Sequence, residues 1–76
     1  MNNIRRKKLA KLYEEIDTLK SLLEEIQEEE QEAFDNIPEN LEGTERYEKA
    51  EEAVDNLESA VNALEEALEY IECAQE

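Results

Sequence analysis

Residues 45–74 read ERYEKAEEAVDNLESAVNALEEALEYIECA. Sorted by sevens they fall into four clean columns. Position a holds Tyr47, Val54, Val61 and Leu68, and position d holds Ala50, Leu57, Leu64 and Ile71. Position e is Glu51, Glu58, Glu65 and Glu72, and position g is Ala53, Ala60, Ala67 and Ala74. Apolar residues recurring every 3.5 positions mark a helix that lays one face on another helix. An alanine column beside that seam lets a further helix approach closely, because alanine adds little beyond backbone bulk.

The partner helix lies upstream. Leu9, Ile16 and Leu23 occupy a, and Leu12, Leu19 and Ile26 occupy d, with Ile4 extending the stripe backwards by a turn. No glycine or proline interrupts residues 3–35, so one helix of about 50 Å is expected there at 1.5 Å per residue. Glu30 falls at the next a position, opposite Ala50, and is expected to be the one partly buried carboxylate, opening the seam near the loop.

Pro38 ends the first helix. It cannot donate to a helical ladder, and it pushes Ile37 out of the α region. Asn36, Asn40 and Gly43 supply turn chemistry, with Gly43 at the left-handed position. Thr44 is the expected N-cap of the second helix, and Glu45 places an anion where the helix dipole favours one. A short loop over 36–44 makes the helices antiparallel neighbours. Reflection about it pairs residues whose numbers sum to about 80, setting Ile26 on Val54, Leu19 on Val61, Ile16 on Leu64 and Leu12 on Leu68. The expected fold is all-α, an antiparallel two-helix hairpin of residues 3–35 and 45–74 within one domain, 1–76.

Composition narrows function by exclusion. The 76 residues hold one glycine, one proline, no histidine and no tryptophan. An all-β fold would need many more turn residues, and histidine-dependent chemistry is ruled out. Ser21, Ser59, Thr18, Thr44 and Cys73 have only carboxylates to serve as base, so no catalytic residue is expected. Without histidine the di-metal carboxylate bundle fails as a template, and no calcium loop is present; no metal or cofactor is expected. Lys11, Glu14, Glu15 and Asp17 interrupt any signal-peptide core, no run could span a membrane, and the single Cys73 forms no intrachain disulfide. These features point to the cytoplasm, with no membrane partner.

Charge is the strongest functional hint. Acidic residues number 23 against 8 basic ones, a net charge of −15. Residues 1–20 carry six bases and three acids, whereas residues 21–76 carry two bases and twenty acids. Antiparallel folding brings Arg5, Arg6, Lys7 and Lys8 to the end that holds Glu65, Glu66, Glu69, Glu72 and Glu76, and the two clusters are expected to neutralise one another. Direct nucleic-acid binding is disfavoured by the overall sign. The acidic face of Glu48, Glu51, Glu52, Asp55, Glu58, Glu65, Glu66, Glu69 and Glu72 either keeps the chain soluble or meets a basic groove, in the extreme by imitating DNA. Phe34, Ile37, Leu41 and Tyr47 cluster about the loop, either plugging the hairpin end or offering an apolar contact.

The segment Phe34-Asp35-Asn36-Ile37-Pro38-Glu39-Asn40-Leu41, followed by Thr44-Glu45-Arg46 and a second heptad helix, resembles a group of small acidic helical-hairpin proteins of Gram-positive bacteria and their phages. That resemblance implies a setting, the bacterial host cytoplasm and a phage or mobile element. It implies no reaction.

Two functions follow as expectations. One is a non-enzymatic acidic binding protein that engages a basic nucleic-acid-binding host protein, for example as a DNA-mimicking inhibitor of host defence. The other is a structural protein whose specific partner is itself. Apolar columns at a, d and g exceed what one helix covers, and Tyr13, Leu22 and Phe34 add to them. A homodimer forming a four-helix bundle is therefore expected, with Ala53, Ala60, Ala67, Ala74 and Leu22 at its interface.

Overall fold

The computed structural model describes all of residues 1–76. It consists of helix α1 (Asn3–Asp35) and helix α2 (Glu45–Gln75), joined by a bend that contains a single 3-10 turn, Glu39–Leu41. Both helices match the expected spans, and α2 runs one residue further. The 3-10 turn has no counterpart in the sequence reading.

Local chemistry explains each boundary. Asn2 caps α1, its Oδ1 accepting a hydrogen bond from the Arg5 backbone N–H at 2.9 Å. At the other end Asn36 N–H donates to the Glu32 carbonyl and Ile37 N–H to the Phe34 carbonyl, both at 3.1 Å. Pro38 then sits at φ −59° and ψ 146°, where no helix continues. Gly43 takes φ +82°, a left-handed conformation that a Cβ disfavours. Thr44 Oγ1 accepts from Tyr47 N–H at 3.3 Å and donates to the Leu41 carbonyl at 2.6 Å. One hydroxyl thus caps α2 and ties it to the 3-10 turn.

The helices pack side by side into a rod with Cα extents of 59 × 15 × 13 Å. Its radius of gyration, 17.4 Å, exceeds the roughly 11 Å of a compact chain of this length. The accessible surface is 5997 Å², against about 4,800 Å² for a typical folded monomer of this mass. Only Val54, Val61 and Leu68 are buried, at 5–8% exposure. They are three successive members of column a on α2.

The seam on α1 differs from the expected one. Its partly buried residues are Leu9, Ile16 and Leu23 at a, Glu24 at b, and Arg6, Tyr13, Lys20, Gln27 and Phe34, which form column e. The d column faces outward, with Leu12 47%, Leu19 60% and Ile26 49% exposed. Ile4 is 67% exposed and extends no stripe. A seven-residue period does not distinguish an a/d seam from an a/e seam, since the two differ only by a rotation of the helix. The e side chains are partly buried with column a, Lys20 leaving only 19% of its side chain exposed and Arg6 burying its Nε. Phe34 closes that column by stacking on Tyr47, a column a residue, at 5.0 Å between ring centroids.

This rotation gives the rod two unlike sides. Ala10, Tyr13 and Glu14 of α1 line a shallow depression together with Glu72 and Gln75 of α2. Columns b and e of α1 therefore adjoin column e of α2. Helical geometry turns columns d and g of both helices to the opposite side.

Candidate interaction surfaces

The acidic side is built on α2. Glu48, Glu51, Glu52, Asp55, Glu58, Glu65, Glu66, Glu69 and Glu72 occupy columns b, e and f, adjacent around the helix, and all nine are exposed. None has a cationic side chain within 4.0 Å, because the only ion pairs are Lys20–Glu24 at 3.6 Å and Lys49–Glu45 at 3.0 Å. Nine charges over 24 residues of rise average about 4.5 Å apiece. Duplex DNA carries one per ~1.7 Å and a single strand one per ~3.4 Å, so this ridge approaches the density of one strand only.

The apolar side combines Leu12, Leu19, Leu22 and Ile26 of α1 with Leu57, Leu64, Ile71 and the alanine column of α2. Leu22 is 51% exposed. Leu57, Leu64, Ile71, Ala53, Ala60 and Ala67 are partly buried within the hairpin, whereas Ala74 is exposed. The column around Leu12, Leu19 and Ile26 escaped the sequence reading because it was assigned to the hairpin's own seam.

Phe34, Ile37, Leu41 and Tyr47 are all partly buried at the loop end, and Phe34 and Tyr47 are in contact, 5.0 Å between ring centroids. The Phe34 and Tyr47 planes lie 39° apart.

Two electrostatic expectations are corrected. Glu30 is exposed, because Gln27 and Phe34 of column e occupy the seam on either side of it. The partly buried carboxylate is Glu24, held by Lys20. The terminal clusters share one end of the rod but form no ion pair. Arg5 and Lys8 lie at d and g, across the hairpin from the Glu72 column. Arg6 lies at e with its Nε buried and without a hydrogen-bond partner.

The remaining chemistry is sparse. No three Asp, Glu or Cys side chains converge to hold a metal ion. A surface depression lined by Lys11, Glu14, Glu15, Thr18 and Leu19, all from α1, is open to solvent. No helix is long and apolar enough to cross a membrane. No protein-family model, curated protein or solved structure matches the chain.

Proposed function

We propose that the chain is a non-enzymatic acidic binding protein of phage or mobile-element type, acting in the bacterial cytoplasm on a basic, nucleic-acid-binding host protein. The observation that carries this reading is the ridge of nine exposed carboxylates on α2, none paired with a cation. Such a ridge attracts basic proteins and repels nucleic acid. With about one charge per 4.5 Å, it suits a groove that tracks one strand better than one that grips both.

Capture from host lysate by wild type and by a Glu51→Lys/Glu58→Lys/Glu65→Lys/Glu72→Lys variant tests it, at 0.05 and 0.5 M salt. Wild type should retain a basic protein at low salt and release it at high salt, and the variant should retain none. Recovery of the same proteins by both chains would overturn the reading.

A second reading, a self-assembling structural protein, is favoured by the exposed d column of α1. It uses the opposite side of the hairpin, so the two readings do not compete for residues.

A further inference from the structure

We propose that the apolar side of the hairpin is covered by a second copy lying antiparallel to the first, loop beside termini, so that α1 packs on the partner's α1 and α2 on its α2. This rests on the reading of the apolar side as an interface between copies, and adds the arrangement of the two. The area is appropriate. The chain exposes some 1,200 Å² more than a compact monomer of its mass, and a standard interface covers about 800 Å² per partner.

Charge selects the second copy and its orientation. Along the outward d and g columns of α1 the residues run Arg5, Lys8, Leu12, Glu15, Leu19, Leu22, Ile26, Glu29 and Ala33. Reversed upon itself about Leu19, this stripe sets Leu12 against Ile26, Leu19 against Leu19, Lys8 against Glu29, and Arg5 against Ala33 with Glu32 alongside. The bases are unpaired within the hairpin and meet the acids of the other copy. Glu15, opposite Leu22, is the one polar residue without a complement, and its exposed head remains in water.

The same reversal works on α2 about Leu64. Ala60 then faces Ala67, Ala53 faces Ala74, and Leu57 faces Ile71. The two centres coincide, because a pairing of Leu19 with Leu64 lies between the Phe34–Tyr47 contact at one end and the Ala10/Tyr13–Glu72/Gln75 depression at the other. The other face-to-face arrangement, with both loops at one end, lays α1 on the partner's α2. There, with Leu19 level with Leu64, Leu12 would meet Ile71, Lys8 would meet Ala74, and Glu29 would meet Ala53. Arg5 would reach past the last turn of α2. Lys8 and Glu29 would lose the mutual pairing of the reversed arrangement.

Cys73 is exposed and is the only cysteine, so it reports orientation without altering the seam. It lies about nine residues from the level of the dyad, so nitroxide labels on two antiparallel copies stand roughly 28 Å apart along the rod. Cys73 lies in column f, on the outer side away from the interface. About 20–24 Å of bundle thickness therefore separates the labels in either arrangement. With loops together both labels lie at one level, and that thickness is nearly the whole distance. The experiment is sedimentation equilibrium of the labelled full chain at ~100 μM, followed by dipolar distance measurement. A mass twice 8.9 kDa with a distance of about 35 Å is expected, the axial offset adding to the bundle thickness. A dimer with labels about 25 Å apart or less overturns the orientation, and a monomer or any larger oligomer overturns the interface. Neither result touches the acidic-ridge reading, which stands or falls on salt-dependent capture.

Discussion

Phe34 stacks on Tyr47 across the loop, with 5.0 Å between ring centroids. One residue closes column e of α1 and the other opens column a of α2. The contact sits at the loop end of the a/e seam, the seam that leaves Leu12, Leu19 and Ile26 facing water.

Truncating that contact should loosen the loop end. Phe34→Ala removes a partly buried ring and an aromatic pair, a loss of about 1–3 kcal/mol. Its urea midpoint by circular dichroism should fall accordingly, with the folded helical signal retained. An unchanged midpoint would mean that the ring contributes nothing to the hairpin.

The bend makes a second, independent prediction. Gly43→Ala meets no atom within 4 Å but must adopt φ +82°, costing about 1–2 kcal/mol. Thr44→Ala loses the α2 cap and the tie to Leu41, a loss of ~1 kcal/mol. Thr44→Ser keeps the hydroxyl and should recover most of that, as read in chemical denaturation.

The inward seam of α1 makes the third. Ile16→Ala opens the inward seam and should destabilise the hairpin by about 1–3 kcal/mol at its partial burial. Leu22→Gln alters an outward residue, and any cost should appear as weaker association, with the helical signal kept at high protein concentration. Equal effects of the two on denaturation at fixed concentration, independent of dilution, would contradict the division of faces.

Salt should act oppositely on the two sides. Two copies of net charge −15 repel, so raising salt from 0.05 to 0.5 M should tighten self-association, the Debye length falling well below 10 Å. Partner binding through the acidic ridge should weaken over the same range. Titration of each at both salts separates the two effects.

Most of the fold is legible in the sequence. Helix spans follow from uninterrupted heptads between Asn2, Pro38 and Thr44, and the left-handed Gly43 follows from turn chemistry. Rotation of α1 is not legible, because Leu12, Leu19 and Ile26 carry the same period as Leu9, Ile16 and Leu23. The deciding signal lay in Arg6, Tyr13, Lys20, Gln27 and Phe34, whose seven-residue spacing is visible but whose polar heads suggest solvent. The same oversight placed Glu30 in the seam. The acidic ridge was readable residue by residue, since a helix with glutamate at every e position has a fixed charged face.

The central claim is that α1 turns Leu19 outward, to a place where two copies meet. Sedimentation equilibrium of Leu19→Glu beside wild type tests it most directly. Leu19 is 60% exposed in the hairpin, so the substitution leaves each hairpin folded but sets two carboxylates against each other at the dyad. Wild type is expected at twice 8.9 kDa, and the variant as a helical 8.9 kDa monomer at equal concentration. A variant that sediments as the same dimer as wild type would contradict the claim.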